Sequence, residues 1–265
     1  KNAILFAATG SASYDFYGAN RAGDNLFANT VLALDARTGE RIWHFQGLRH
    51  DLWDRDFPSP PSLITVKRDG KEVDAIAQVT KTGHVFVLER LTGTPLFPIE
   101  EIPMPGPTLP GEWTSPTQPF PVRPPPVARQ SLTIDDLTQR TPEAHASALA
   151  TFNAYSTEGA WSTPDTTGII LYPGTDGGGE WGGPAFDPET GLLYVNSNEQ
   201  GWLLKLVAPS DESSYSARCA SCHGANRQGS GVAPSLEGIL DRKTRDEVTE
   251  LIREGSTTMP AFATI

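Results

Sequence analysis

Cysteine and methionine are almost missing from this sequence, two of each in 265 residues, so a disulfide framework cannot be what holds the fold together. Positive charge is also scarce. Lys and Arg number 21 against 32 Asp and Glu, a formal net charge of −11, which disfavours a nucleic acid or an anionic membrane surface as partner. No run of about 18 apolar residues occurs, so no membrane span is expected. Charged residues are only 20% of the chain, a profile that long helical bundles and coiled coils do not show. No signal peptide opens the chain: Lys1-Asn2-Ala3-Ile4-Leu5-Phe6 starts directly on an apolar run, and the natural N-terminus is expected to lie further upstream. What is abundant is turn chemistry, with 25 glycines and 23 prolines. An all-β background follows, in one large or two modest domains.

Short β-type runs recur at Ile4 to Ala8, Asn29 to Ala36, Arg41 to Gln46, Asp74 to Thr80, Gly83 to Arg90, Gly168 to Tyr172, Gly191 to Asn196 and Trp202 to Val207. Three of them share an internal pattern: an apolar strand closing on an acidic residue, a Thr-Gly turn, and a second strand. The copies begin at Ala33, Val87 and Ala185 and carry Asp35-Ala36-Arg37-Thr38-Gly39, Glu89-Arg90-Leu91-Thr92-Gly93 and Asp187-Pro188-Glu189-Thr190-Gly191. The acidic side chain can accept from turn amides, and glycine supplies the positive φ of a tight hairpin. Starts 54 and 98 residues apart suit one and two units of a propeller with four-stranded blades. Three unrelated hairpins of a sandwich are the alternative.

A proline-rich excursion fills residues 98–130. It can be neither central strand nor helix and is expected to run extended over the surface, with Ile102, Trp113 and Phe120 as apolar anchors that a solvated linker would not need. Thr141-Pro142-Glu143 then starts a short helix near residues 142–153. Residues 1–208 thus read as one β domain. From about Asp211 strand patterning stops, and Thr244-Arg245-Asp246-Glu247 is a capping box, so residues 211–265 read as a small helical module.

That module carries Cys219-Ala220-Ser221-Cys222-His223. Two thiols on one helical turn can form thioethers to haem vinyl groups while the adjacent imidazole faces the iron. Half of a zinc site would look the same, but it needs further ligands and no other cysteine exists. Met259, in Thr258-Met259-Pro260-Ala261-Phe262, is either core filler or a second, thioether ligand. The region from Tyr215 to Ile265, including Gly229-Ser230-Gly231 and Pro234-Ser235-Leu236, resembles class I cytochrome c. The resemblance implies haem c, with iron held by His223 and Met259, and a C-terminal helix that this sequence stops short of. Because haem c is assembled on the far side of the membrane, it also implies a periplasmic location.

The β part holds a second set. His50-Asp51-Leu52-Trp53-Asp54-Arg55-Asp56 packs three carboxylates and an indole into seven residues, Lys81-Thr82-Gly83 follows a strand, and Gly177-Gly178-Gly179-Glu180-Trp181-Gly182-Gly183 surrounds a tryptophan with glycines that let backbone and ring approach a ligand. Taken singly, each could be cap, surface or hairpin. In order with Ala8-Thr9-Gly10-Ser11 and Gly23-Asp24-Asn25-Leu26 they resemble the pyrroloquinoline quinone (PQQ)-dependent dehydrogenases, nearest the glucose dehydrogenase-like branch. The resemblance spans residues 1–207 and implies a partial eight-bladed propeller, since chains of that family are more than twice as long. It implies Asp54 as catalytic base, Lys81 as donor to the quinone oxygens, and Glu180, Trp181 and Gly182 beside PQQ. A Ca²⁺ is implied as well, with Asp54 and, weakly, Ser11 as ligands: Ser11 stands where the family has an asparagine, and its hydroxyl is the poorer ligand. The family's glutamate ligand would precede Lys1.

The expected chemistry is oxidation of a sugar or alcohol. A carboxylate removes the hydroxyl proton as hydride leaves, and cationic groups stabilise the charge gained by the acceptor. A haem on the same chain would take the electrons one at a time toward a downstream cytochrome or quinone. The rival is a haem c electron-transfer protein whose propeller only docks partners. A scaffold would have no reason to keep both Asp54 and Lys81.

Overall fold

The acidic-Thr-Gly pattern builds its turns in all three copies. In this computed structural model, which describes residues 3–207, 211–231 and 233–262, the Asp35 carboxylate accepts from the amides of Arg37 at 2.8 Å and Thr38 at 3.4 Å, and Gly39 takes φ +76°. Glu89 accepts from Thr92 N at 2.8 Å with Gly93 at +73°, and Asp187 from Glu189 N at 2.9 Å with Gly191 at +73°. The chain divides into two units, Lys1–Leu206 and Val207–Ile265.

In the first unit β1 (Ile4–Ala8), β2 (Thr30–Asp35) and β3 (Arg41–Gln46) form one antiparallel sheet, and β4 (Ser62–Arg68), β5 (Lys71–Val79) and β6 (Val85–Glu89) a second. The pairs β7 (Ile99–Pro103) with β8 (Thr117–Pro121), β9 (Ile169–Leu171) with β12 (Trp202–Leu204), and β10 (Gly179–Asp187) with β11 (Leu192–Ser197) complete the strands. Among the described residues no sheet exceeds three strands, where the repeat predicts four. After Gly93 the chain does turn back onto β6, bridging Leu88 to Pro95. Pro95 and Pro98 lack the N–H that would extend the ladder, so the fourth strand is cut to a bridge.

Sheets stack face to face through the β4–β5–β6 sheet. Ile76, Phe86 and Leu88 point to one side, against Val31, Ala33 and Trp43; Ala75, Ala77, Val79, Val85 and Val87 point to the other, against Phe186, Leu193 and Val195. Burial on both faces accounts for the three consecutive apolar residues Ala75-Ile76-Ala77 in β5. The repeats also interlock. Trp43 covers the Thr-Gly turn of the next copy, its Nε1 donating to Arg90 O at 3.2 Å, and a Cβ on Gly93 would stand 2.6 Å from the indole.

Two expectations need correction, and one strand was not predicted. The 98–130 excursion contains the β7–β8 hairpin, whose prolines are tolerated because a two-stranded ribbon has free edges. The hairpin is anchored by buried Gln118, which accepts from Arg49 N at 2.8 Å and donates to Arg49 O at 2.6 Å. Ile102 is no anchor, being 36% exposed, whereas Phe120 packs edge-on against Trp161 and His84. Strand β4 went unread, flanked by Pro58, Pro60 and Pro61. Helix α1 (Pro142–Ala154) starts as expected, with Ala144 N donating to Thr141 Oγ1 at 3.1 Å.

The second unit contains α2 (Asp211–Arg218), α3 (Ala220–His223), α4 (Ile239–Arg242) and α5 (Arg245–Glu254). The capping box of α5 is formed, with Thr244 N donating to Glu247 Oε2 at 2.7 Å and Glu247 N to Thr244 Oγ1 at 3.3 Å. No helix among the described residues is long and apolar enough to cross a membrane.

Two glycine substitutions separate backbone strain from turn docking. Gly39→Ala, with open space around the new methyl, should cost about 1 kcal/mol in urea unfolding, and Gly93→Ala, which also strikes Trp43, about 2 to 3 kcal/mol.

Candidate active site

The loop between β3 and β4 is built around a carboxylate that water does not reach. Asp51, 1% exposed, accepts from Ser11 Oγ at 2.5 Å, Asn29 Nδ2 at 2.9 Å, Trp53 N at 2.8 Å and Arg55 N at 2.8 Å. Burial pushes its carboxyl up, against the pull of these four donors. The two backbone bonds wrap residues 53–55 around the carboxylate, and Asp54 takes a left-handed φ of +55°, a conformation acidic residues tolerate better than most. Trp53 and Leu52 face the core. Asp54 is thereby turned the other way.

It meets Lys81. The Lys81 ammonium lies 2.8 Å from Asp54 Oδ2 and 2.7 Å from Asp56 Oδ1, and all three side chains are mostly shielded. Burial raises the Asp54 carboxyl to about 6, outweighing the hydrogen bond and charge of Lys81. Burial pulls Lys81 down, but its bonds to the two carboxylates prevail and hold it above the ordinary lysine value. Beneath it Thr80 and Thr82 hydroxyls share a 2.8 Å bond and Thr82 meets His84 Nδ1 at 2.9 Å. Burial lowers His84 to about 4, so this support is uncharged at neutral pH.

The glycine run lies directly on the lysine turn. Gly178 N donates to Lys81 O at 2.5 Å and Gly179 N to Thr80 O at 3.1 Å. A Cβ on Gly177, Gly178 or Gly179 would come within 2.8, 2.6 or 2.0 Å of Lys81, Gly83 or Val79. These glycines therefore serve close approach to the Lys81 turn, not to a ligand as the sequence predicts. Beyond them Trp181 projects with 82% of its surface exposed. Asp54, Lys81, Thr175, Asp176, Glu180, Trp181 and Asn198 line one open cavity of about 460 Å³. Burial also raises the Glu180 carboxyl.

Four predicted residues, Asp54, Lys81, Glu180 and Trp181, meet at this cavity. Gly182 is in the same strand with open space around it. Ser11 is not brought there; its hydroxyl is committed to Asp51. Thr175, Asp176 and Asn198 escaped the sequence reading, because nothing in a Gly-Thr-Asp-Gly loop or a strand-end asparagine distinguishes a cavity wall from a turn. Asp56 could have been found from its two-residue spacing to Asp54.

In the second unit, Cys219 and Cys222 are free thiols at the start and within α3. His223 is 9% exposed, and its Nδ1 lies 2.8 Å from Pro234 O. A carbonyl only accepts, so the proton sits on Nδ1 and leaves the Nε2 lone pair free. Met259 follows α5, its N donating to Ser256 Oγ at 3.2 Å.

Comparison with known proteins gives the family of this β module. Residues 1–246 match the family model described as glucose/ethanol/alcohol dehydrogenase, β-propeller domain, of the PQQ type. The quinate/shikimate dehydrogenase (quinone) of Acinetobacter baylyi is 36% identical over 210 residues, 78% of this chain and 26% of that protein. Quinoprotein glucose dehydrogenase A of Acinetobacter calcoaceticus is 34% identical over 241 residues, 87% of this chain and 29% of that protein. The solved quinohemoprotein alcohol dehydrogenase of Comamonas testosteroni covers 73% of this chain and 23% of its own at 22% identity, with a TM-score of 0.44, too loose a likeness to build on. The chain belongs to the PQQ-dependent dehydrogenase propeller family. It spans between a quarter and a third of the length of these two relatives.

The groups this family implies fit unequally. A flat quinone suits the bare Trp181 face and the Lys81 donor. Ca²⁺ does not suit the described residues by themselves: Ser11 is turned onto Asp51, Asp54 and Asp56 already face an ammonium, and no group of three His, Cys, Asp or Glu that could hold a metal occurs among the described residues. A haem suits the free thiols and the available Nε2 of His223.

The Asp54 carboxyl titrates near 3.8 unfolded and near 6 folded. The folded state therefore holds its proton more tightly, a contribution fully present below pH 3.8 and lost as pH rises through 6. Asp54→Asn, fixed in a neutral form, should gain in melting temperature over the parent as pH rises from about 4 to 7.

Proposed function

We propose that this chain is part of a periplasmic quinohaemoprotein dehydrogenase that oxidises a sugar or alcohol and passes the electrons to haem c. The observation that carries the reading is the 2.8 Å Asp54–Lys81 pair on the cavity wall under the exposed Trp181. When bound, PQQ supplies the hydride acceptor. Asp54 receives the substrate hydroxyl proton, so that the alcohol carbon can release hydride and become a carbonyl carbon. Its raised value near 6 leaves it ionised at neutral pH yet more basic than an exposed aspartate. Lys81 stays charged and offers a hydrogen bond to the acceptor oxygen where negative charge develops. Trp181 provides a flat wall for a planar ring.

Electron exit would fall to the second unit: Cys219 and Cys222 would hold a haem through thioethers and His223 and Met259 would ligate its iron, supplying a one-electron acceptor. His223 is prepared for this by its bond to Pro234 O. The downstream acceptor would be a cytochrome or quinone, and the periplasmic location follows from where covalent haem is made.

Two measurements on the full-length protein test the reading. With PQQ and a dye acceptor, kcat/KM for an aldose or alcohol should rise with pH through about 6, and Asp54→Asn should lose about 10²- to 10⁴-fold; full activity in that variant would remove Asp54 from the mechanism. Separately, a pyridine haemochrome spectrum should show a thioether-type band that disappears in Cys219→Ala/Cys222→Ala. Its absence from the parent protein would return the module to a structural role.

A further inference from the structure

Arg55 stands between two carboxylates that have been given roles, yet its own guanidinium pairs with neither. It is 1% exposed, and among the described residues no carboxylate lies within ion-pair distance of it. Its donors go to main-chain oxygens instead: Nη1 to Gly174 O at 2.7 Å, Nη2 to Pro173 O at 2.5 Å, and Nε and Nη2 to Ala160 O at 3.3 and 3.1 Å. Burying a full charge on carbonyl dipoles alone is costly, and an apolar side chain would fill a core position at less expense. What an apolar side chain cannot do is hold three carbonyls from two segments together. A guanidinium fork can, and an ammonium cannot.

The held segment matters. Gly174 O also accepts from Gly177 N at 2.9 Å, closing a turn whose middle residues, Thr175 and Asp176, line the cavity. From Gly177 the chain runs straight to Gly178, which donates to Lys81 O at 2.5 Å. The contacts form a closed ring: Asp54 to Lys81 through side chains, Lys81 to Gly178 through backbone, Gly178 back through the turn to Gly174, and Gly174 to Arg55, the residue bonded to Asp54. Opening the ring at Arg55 removes the direct tie between the Asp54 loop and the Thr175–Asp176 wall, which keeps its bonds from Gly174 N to Gln200 O at 2.7 Å and from Trp202 Nε1 to Asp176 Oδ2 at 3.3 Å, while Lys81, Trp181 and Asp54 remain present.

We propose that Arg55 is a positioning residue of the oxidation site, its buried fork on Ala160, Pro173 and Gly174 fixing the register between Asp54 and the Thr175–Asp176 wall. The inference rests on the reading of Asp54 as the base. Near-attack geometry is sensitive to displacements of about 1 Å, so the cost should fall on turnover more than on binding.

The test compares Arg55→Lys, Gly174→Ala and Asp54→Asn in the full-length, PQQ-loaded protein. Arg55→Lys keeps the charge and loses the fork. Gly174→Ala keeps Arg55 but drives its acceptor off Trp202, whose Cδ1 would lie 2.0 Å from the new methyl. Each should lower kcat by about 10- to 100-fold, with substrate KM within about twofold and PQQ loading, read by absorbance, unchanged. Arg55→Lys retaining kcat within about twofold while Asp54→Asn is inactive would overturn the proposal and leave the base reading standing. So would a loss of activity matched by loss of folded or PQQ-loaded protein, since that marks a merely structural arginine. An active Asp54→Asn would overturn the base reading and this inference with it. If Arg55→Lys does not fold, Gly174→Ala carries the same comparison.

Discussion

The site depends on one buried carboxylate that does no chemistry. Asp51 accepts four hydrogen bonds, and two of them come from the backbone on either side of Asp54. A carboxylate without water must be satisfied by whatever surrounds it, and here satisfaction requires the chain to coil tightly over residues 53–55. That coil sends Trp53 and Arg55 into the core and leaves Asp54, at φ +55°, facing the cavity. Ser11 and Asn29 bring β1 and β2 into the same arrangement, so the first sheet and Asp54 are positioned by a single group.

The second constraint is the two-sided burial of the β4–β5–β6 sheet. Its faces are already used by the neighbouring sheets, so Lys81, following β5, has no freedom to shift without moving both. Gly177, Gly178 and Gly179 exist to let a third element reach that rigid turn. Rigidity of this kind suits a site whose two polar groups must keep a fixed separation, because a packed core resists displacement where a loop would not.

Much of this was legible in sequence for a physical reason. Turn geometry is a local property: an acidic residue, a threonine and a glycine at fixed spacing form the same turn wherever they fall, and all three copies do so. Asp54, Lys81 and Trp181 were visible only through the order of several short motifs that together resemble a known family, since each taken singly reads as cap, surface or hairpin. What was not legible was long-range. The commitment of Ser11 to Asp51 crosses 40 residues, and the grip of Arg55 on Ala160, Pro173 and Gly174 crosses 105 to 119. A hairpin among prolines in residues 98–130 was missed because proline forbids a central strand but not an edge, and edge status is decided by neighbours that periodicity cannot show.

Lys81 stands between two carboxylates, and burial decides how the three groups share charge. A lone aspartate paired with an ammonium in a shielded site would be held ionised and weakly basic, a poor proton acceptor. Burial lifts Asp54 to about 6 despite the ion pair, and Asp56, which shares the Lys81 charge at 2.7 Å, adds a smaller repulsion in the same direction. The lysine gains from both partners and remains charged. One cation between two acids thus yields a firmly positive donor and a usable base within 2.8 Å of each other, a combination that a simple salt bridge cannot provide, since there each partner's charge is held only at the expense of the other's reactivity.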